Sequence, residues 1–396
     1  MARSAAPSQT RQQQPSPGNR AKQRARRAPE RRAVLLLLPV AILLIVGLGA
    51  VLSASSVVAI REGLDQYAIF RKQLLFVGAG IVALIVTAKI PYRWYAKMAP
   101  FLLVVAIAGL VATMFIGSVR GGSRRWIELG PITIQASEFA KFAVVVYLAQ
   151  AFSRKERYLS EISHIFWPVA VSVGVVSVLL LQQPDLGTTL LVAGAAFAVM
   201  LGSAAPLRHI GLLGGIGALS AIGLALAEPY RRDRVLSFLS PNPDRLDEGF
   251  QAFQSLVALG TGGLFGVGLG ASRARWSFLP NAHTDFIFAI IGEETGLAGS
   301  LTVLALFVVF AVVGTIVAIR ASDQFGRLLA MGIVTWISLQ AIVNIGGVVK
   351  ALPITGVPLP FVSAGGSAMI VNLAVIGVLV NIARNGLGPR QKGRRS

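Results

Sequence analysis

The amino-acid sequence predicts an all-α, polytopic membrane protein with about ten transmembrane helices, and three observations point to this class. The 396-residue chain is 54% hydrophobic, with a mean hydropathy of +0.69. Only 14% of its residues are charged, whereas an average soluble domain has about 25%. Apolar runs recur along the chain at lengths close to the roughly 20 residues that cross a bilayer core as a helix.

These apolar runs give ten predicted spans. An even number of spans returns the C-terminus to the side of the N-terminus. We therefore predict one transmembrane domain at 34–384, with both termini cytoplasmic. The spans lie near residues 34–58, 73–91, 100–117, 138–153, 166–183, 187–203, 209–227, 297–319, 328–347 and 366–384.

Both ends of the chain are basic. The formal net charge is +20, and residues 1–32 hold nine Arg or Lys against one Glu. Residues 1–33 have the composition of a disordered segment, and residues 385–396 form a second basic tail. Basic segments are retained on the cytoplasmic side, which agrees with the span count. No base-reading module follows the tails, so we expect them to meet membrane lipids and no nucleic acid.

The residue types present exclude several kinds of site. The sequence has no Cys, so it has no disulfide and no thiolate metal site. Its three His residues lie far apart, which argues against a His-rich zinc site. The glycine-rich run at 260–270 follows no strand and lacks a phosphate-loop lysine, so no nucleotide cofactor is expected. Haem and flavin are not expected either.

Span parity places five segments on the outer side of the membrane. These segments carry most of the polar residues that could do chemistry, so we expect a functional site on the outer face. The segments are residues 59–72, 118–137, 184–187, the large loop 228–285, and 348–365.

The 118–137 segment and the span after it contain two charged pairs. Arg124 and Arg125 precede Trp126, a combination that suits a phosphate group or, equally, an anchor at the lipid headgroups. Glu138 and Lys141 lie three residues apart on one helical face, which predicts a local ion pair that supports the site.

Other outer segments hold candidates with two interpretations each. Asp185 lies between two spans, as a turn residue or as a carboxylate of an outer cavity. Arg231 and Arg232 belong to a basic loop in which residues 249–258 predict an interfacial helix, so the loop suits anionic lipid head groups. Lys350 is the only charge in a loop rich in Pro and Gly, which is a structural turn or a substrate clamp.

The sequence HTD lies at the start of a long apolar run. His283, Thr284 and Asp285 come directly before it. Thr284 or Asp285 could cap a helix that starts there. An acid bordering the membrane is costly, however, and marks a functional site by default.

The apolar run from residue 286 to 319 is interrupted only by the sequence GEETG. As one helix it would be about 51 Å long, well beyond the hydrocarbon thickness. We therefore predict a break at 292–296, with a short helix before it and a true span after it. Glu293 and Glu294 then support the structure near the break.

Five ordered motifs together resemble the SEDS family of FtsW and RodA proteins. The resemblance runs from about residue 40 to 385. The motifs are GSRRWI at 122–127, QASEFAK at 135–141, QPDLGTT at 183–189, NAHTDFIFAIIGEETG at 281–296 and LPITGVPLPFVSAGGS at 352–367.

The resemblance implies a ten-span enzyme that polymerises lipid II into glycan strands, together with a class B penicillin-binding protein and other division proteins. The family's essential acid falls on Asp285, the expected general base. The residues within these motifs are more similar to those of the family branch that acts at the division septum than to those of the elongation branch. The resemblance therefore implies a location in the bacterial cytoplasmic membrane, at the septum. The residues expected to bind substrate are Arg124, Arg125, Asp185, Arg231, Arg232, His283, Thr284, Lys350 and Ser363.

Negative charge develops on the departing pyrophosphate, so a divalent ion such as Mg²⁺ or Mn²⁺ is a possible aid. Two other functions fit the composition. A lipid II flippase would carry its decisive acids near the midplane and show an internal repeat, and a scaffold would only recruit the penicillin-binding protein. The charged motifs lie mostly on the outer face of the membrane and not near its midplane, which favours the polymerase over the flippase.

Overall fold

The computed structural model describes residues 17–120, 123–130, 132–228, 232, 238, 249–276 and 282–385. These residues form a helical bundle with one small sheet. The helices are α1 (Pro17–Arg61), α2 (Ala68–Lys89), α3 (Tyr92–Ile116), α4 (Ala136–Arg154), α5 (Ser163–Val169), α6 (Val175–Gln182), α7 (Leu186–Gly202), α8 (Leu207–Ala227), α9 (Phe250–Gly262), α10 (Ile287–Ile319), α11 (Gln324–Val348) and α12 (Gly366–Asn385). A π-helical turn, Ala170–Gly174, joins α5 to α6, and a 3₁₀ turn, Glu156–Tyr158, follows α4.

The chain is a multi-pass membrane protein. Among the described helices, eight are long and apolar enough to cross a membrane, counting α5, its π turn and α6 as one. The other two predicted spans coincide with α4, which carries a buried ion pair, and α7, which has only 17 residues. Every predicted span therefore falls on a helix, while the count of ten crossings stays a prediction.

The core of the bundle lies around α4, α11 and α12. Helix α2 packs along α12, and helix α3 packs on α4. Helix α11 contacts both α7 and α10. A Cβ at Gly332 would lie 2.5 Å from Val145 and 2.8 Å from Val199. This glycine therefore lets α11 approach α4 and α7 closely, as small residues do between membrane helices.

The 118–137 segment is not a plain loop, which corrects the all-helical expectation locally. It forms an antiparallel sheet of β1 (Ser118–Arg120), β2 (Ser123–Leu129) and β3 (Ile132–Gln135), with Trp126 opposite Gln135. The β2–β3 turn contains Gly130 at φ +60°, a conformation that glycine adopts without steric cost. Strand pairing satisfies backbone groups that a loop beside the membrane would leave open.

The boundary of the predicted disordered tail is also corrected. Helix α1 begins at Pro17, well before residue 33. The stretch is rich in Arg and Ala, which have high helix propensity, and it continues directly into the first span. Residues 1–16 and 386–396 lie outside the described part of the chain.

The predicted break in the long apolar run is confirmed. Helix α10 is interrupted at Gly296, which has φ 68° and ψ −164°. The part after the break is about 34 Å long at 1.5 Å per residue, which matches a bilayer core. The helix predicted at 249–258 is confirmed as α9, which packs on α10.

Candidate functional site

The motif with His283, Thr284 and Asp285 forms an irregular turn in front of α10. Phe286 occupies the N-cap position of this helix, and its side chain makes no capping hydrogen bond. Thr284 and Asp285 lie directly before that position, and a capping role for either of them stays a prediction. The side chains of all three motif residues are partly exposed.

The backbone of this turn is held by other parts of the chain. The carbonyl of His283 accepts from the Ala364 N–H at 3.0 Å. The Thr284 carbonyl accepts from the Ser363 hydroxyl at 2.6 Å, and the Asp285 carbonyl accepts from Asn344 Nδ2 at 2.8 Å. Three successive carbonyls are thus fixed by α11 and by the segment before α12, which makes the position of Asp285 a property of the tertiary fold.

Asp285 borders a small cavity, partly open to the surface, between α11 and the loop after it. A Cβ at Gly356 would lie 3.6 Å from Asp285 Oδ2, so the carboxylate lies against this loop. The cavity is lined by Asp285, Phe286, Val343, Asn344, Gly347, Val348, Ile354, Thr355, Gly356 and Val357.

A second carboxylate, that of Asp185, lies in the turn before α7. Its Oδ1 accepts from the Thr188 N–H at 3.1 Å, and its Oδ2 accepts from the Thr188 hydroxyl at 2.9 Å. The turn interpretation is therefore confirmed, since Asp185 caps α7. Arg125 Nη1 lies 3.9 Å from Asp185 Oδ1.

Arg125 fixes the small sheet to this turn. Its Nε donates to the Gln183 carbonyl at 3.0 Å, and its Nη2 donates to the Pro184 carbonyl. On the other side of the turn, a Cβ at Gly187 would lie 2.6 Å from Val357 Cγ2. The start of α7, directly after the Asp185 turn, therefore adjoins the same loop that lines the Asp285 cavity, and Arg125 contacts the turn itself.

The imidazole of His283 favours its neutral form. Burial lowers the pKa of its imidazole below the ordinary 6.5, and the charge of Glu62 raises it by a smaller amount. Its Nδ1 is buried and has no hydrogen-bond partner within the described part of the chain. Near pH 7 this side chain therefore adds no positive charge beside Asp285.

A protein cage for a metal ion is not formed by the described residues, which bring no three His, Asp or Glu side chains together. This donor set does not fit a divalent ion held by the protein alone. Magnesium usually takes few protein ligands and completes its shell with phosphate and water. A divalent ion carried on a substrate pyrophosphate stays a prediction.

The sequence model of a family described as "Cell cycle protein", which covers FtsW, RodA and SpoVE, matches residues 33–387. The chain belongs to this family. It is 39% identical to stage V sporulation protein E of Bacillus subtilis over 353 residues, which cover 89% of this chain and 96% of that protein. It is 37% identical to "Probable peptidoglycan glycosyltransferase FtsW" of Geobacter metallireducens over 356 residues, covering 89% and 95%.

Two solved structures share the fold of this FtsW/RodA/SpoVE protein. One comes from work described as "Structural coordination of polymerization and crosslinking by a peptidoglycan synthase complex", with a TM-score of 0.71 and 26% identity. The other is RodA of Thermus thermophilus, with a TM-score of 0.65 and 24% identity. Each match covers 89% of this chain and 97% of the other chain.

The remaining predicted substrate residues of this family member are scattered around the site. Arg124 is exposed, and its Nη1 lies 3.5 Å from the Met114 carbonyl, while Arg232 is exposed beyond the end of α8. Neither belongs to the residues that line the cavity. Lys350 is partly exposed, at φ +54°, two residues after Val348 of the cavity wall. Arg231 lies outside the described residues.

Ser363 is buried, at 3% exposure, and its hydroxyl both accepts and donates a hydrogen bond inside the protein. It accepts from the Leu359 N–H at 2.8 Å while it donates to the Thr284 carbonyl. The structure therefore gives Ser363 the role of joining two loops, in place of the direct substrate contact that the sequence suggested.

The predicted supporting residues form two buried clusters. Lys141 Nζ donates to Glu138 Oε1 at 2.9 Å and to Gln340 Oε1 at 2.9 Å, which confirms the predicted ion pair. Glu293 accepts from the backbone N–H groups of Arg273 at 3.0 Å and Ala274 at 3.2 Å, and from the Ser272 hydroxyl.

Glu294 accepts a hydrogen bond from the Ser53 hydroxyl of α1. Both glutamates therefore hold other segments around the break in α10, as predicted.

Sequence reasoning missed Asn344 and Gln73. Asn344 Nδ2 also donates to the Val357 carbonyl at 2.8 Å, so it joins the motif turn to the cavity loop. Gln73 Nε2 donates to the Ser363 carbonyl and its Oε1 accepts from the Gly365 N–H, each at 3.3 Å. For Asn344 the available signal was a polar amide inside an otherwise apolar span, because such groups are kept in membranes for their hydrogen bonds. Gln73 stands at the start of its span, directly after Arg71 and Lys72, and gave no such signal.

Proposed function

We propose that this protein is a peptidoglycan glycosyltransferase that polymerises lipid II into glycan strands at the outer face of the bacterial cytoplasmic membrane. The observation that carries the proposal is the carboxylate of Asp285, fixed by its backbone at the wall of a cavity in a membrane protein. The names of the FtsW relatives support the activity.

In the proposed reaction, the 4-hydroxyl of one sugar attacks the anomeric carbon of another. A bond forms between the hydroxyl oxygen and that carbon, and the bond to the lipid pyrophosphate breaks. Asp285 takes the hydroxyl proton as attack proceeds, which is the ordinary task of a general base.

The departing pyrophosphate gains negative charge, which cationic side chains stabilise. Lys350 is the favoured candidate because it follows the cavity wall directly. Arg125 is a weaker candidate, because two carbonyls and Asp185 already engage its guanidinium group. Arg124 and Arg232, which do not line the cavity, would act only if substrate extends beyond it.

We also propose a class B penicillin-binding protein as partner and the division septum as location. The fold likeness to a chain of a peptidoglycan synthase complex supports the partner. Several relatives named FtsW support a division role, whereas the similarity to a sporulation protein leaves open which septum is served.

The Asp285→Asn variant tests the activity. It keeps the shape of the side chain and removes the base, so polymerisation should fall by about 10²–10⁴-fold. The measurement is glycan-strand synthesis from purified lipid II by the full chain with its partner. Asp65→Asn is the matched control, because Asp65 is an exposed carboxylate whose surface ion pair with Arg71 contributes little to stability. Wild-type polymerisation by Asp285→Asn would end the proposal.

A further inference from the structure

The segment between α9 and the motif turn has an unusual apolar tip. Residues 249–272 contain no charged side chain. At the tip, Leu264 is 65%, Phe265 83% and Leu269 84% exposed. Large apolar side chains that are this exposed indicate a surface that contacts a membrane or another apolar surface.

We propose that residues 263–269 form a re-entrant loop that inserts into the acyl chains of the bilayer beside α10. This places part of the large outer loop inside the membrane. The occupant of the exposed apolar surface is the lipid itself.

Backbone hydrogen bonding is the first argument, because irregular backbone enters a membrane only when its polar groups are satisfied. The Val267 N–H donates to the Glu293 carbonyl at 3.0 Å, and the Gly268 N–H donates to the Glu294 carbonyl at 3.1 Å. Both carbonyls lie just before the break at Gly296. They belong to the last turn of a helix segment, where carbonyls have no partner in their own helix.

The opposite side of the break is satisfied in the same way. The Leu297 N–H donates to the Gly263 carbonyl at 2.9 Å, and the Ala298 N–H donates to the Leu264 carbonyl at 3.1 Å. These are the first N–H groups of the second helix segment, which also lack partners in their own helix. The loop and the broken helix therefore complete each other's hydrogen bonds.

Close packing makes this pairing possible. Gly266 has φ +84°, and a Cβ there would lie 2.1 Å from the Glu294 carbonyl oxygen. A Cβ at Gly262 would lie equally close to the Gly292 carbonyl oxygen. Only glycine at these two positions allows the loop backbone to lie directly on the broken helix.

The tip is continuous with a helix face that must meet lipid. Leu297, Leu301 and Leu304 of α10 are 50%, 53% and 42% exposed. They belong to the segment after the break, which is long and apolar enough to cross the membrane. The Leu264 carbonyl accepts from the N–H of Ala298, the residue next to Leu297, so the exposed Leu264 lies beside the start of this helix face. The contact lies at the start of the span, so the tip should enter only the shallow part of the acyl layer.

The absence of Cys from the sequence makes a direct test possible. Phe265→Cys and Leu269→Cys are labelled with an environment-sensitive fluorophore in the full chain, reconstituted into phosphatidylcholine and phosphatidylglycerol vesicles. The quenchers are aqueous iodide and lipids spin-labelled either near the head group or near the chain end. Leu301→Cys is the lipid-facing control, and Asp65→Cys, in an exposed charged loop, is the aqueous control.

Insertion predicts a loss of fluorescence with spin-labelled lipid as large as that at residue 301. The loss should be greater for the label near the head group, and iodide should have little effect. Quenching by iodide as strong as at residue 65 would place the tip in water and overturn the proposal. Protection from both quenchers would also overturn it, because protein would then cover the tip.

Discussion

At the scale of single residues, the site depends on side chains that hold backbone. Asp285 is fixed through its own carbonyl and those of its two predecessors. The hydroxyl of Ser363 is central to this arrangement, since it accepts from the Leu359 N–H and donates to the Thr284 carbonyl. These backbone contacts tie the position of the base to α11 and to the segment before α12.

The Ser363→Ala variant should therefore lose both stability and turnover. It leaves a buried N–H and a carbonyl without their partner, which costs about 1–3 kcal/mol. We expect a lower Tm and a lower kcat with little change in KM, because the hydroxyl does not line the cavity. Ser338→Ala is the control, since the buried Ser338 hydroxyl has no partner within the described residues. Equal effects of both variants would contradict this role.

The buried ion pair of α4 gives a second residue-scale prediction. Glu138 and Lys141 have side-chain exposures of 2% and 1%. Lys141→Met should destabilise the protein by about 3–5 kcal/mol, because it leaves a buried carboxylate unpaired. The double variant Glu138→Gln with Lys141→Met should recover much of this loss, since no unpaired charge remains. Thermal unfolding in detergent measures both, and a double variant as unstable as Lys141→Met would count against the explanation.

At the scale of elements, the break in α10 is the feature with the largest consequences. Gly296 has a positive φ, and a Cβ there would lie 2.4 Å from the Gly266 nitrogen. Gly296→Ala should therefore destabilise the fold by more than the about 1–3 kcal/mol that this glycine-only backbone region costs a residue with a side chain. The control Gly78→Ala in α2 has nothing within 4 Å of the new Cβ and should be neutral or slightly stabilising. A stability of Gly296→Ala equal to that of this control would refute the expectation.

Two features of the helices could be predicted from the sequence, whereas the small sheet could not. The break was predictable because the apolar run was too long for one bilayer crossing, and α9 was predictable from its apolar spacing. The small sheet was not predicted, because its strands are only three to seven residues long. Runs that short carry too little alternation to be separated from a loop.

The same limit applies to the site. The HTD motif identified Asp285, and the Asp185 turn was recognised from its local sequence. The contacts of Asn344 and Gln73 were not recognised, because they join residues 59 and 292 positions apart in the chain. Local patterns carry no information about such partners, whereas the tertiary fold decides them.

At the scale of the whole molecule, the number of membrane crossings is the main prediction. If α4 and α7 cross, then Tyr158, which is 58% exposed after α4, lies on the cytoplasmic side. Tyr158→Cys in the otherwise Cys-free chain should resist a membrane-impermeant thiol reagent in spheroplasts and react after permeabilisation. Asp65→Cys, on the predicted outer side, should react in both conditions. Labelling of residue 158 without permeabilisation would show that α4 does not cross.

The paired breaks at 263–268 and 293–298 have a consequence for biosynthesis. Neither segment can satisfy its peptide groups in lipid without the other, since each supplies the partners that the other lacks. A nascent chain that ends between them would leave open backbone groups at the translocon. We therefore expect residues 250–319 to leave the translocon as one insertion unit, a behaviour that crosslinking of truncated nascent chains would reveal as delayed release until α10 is complete.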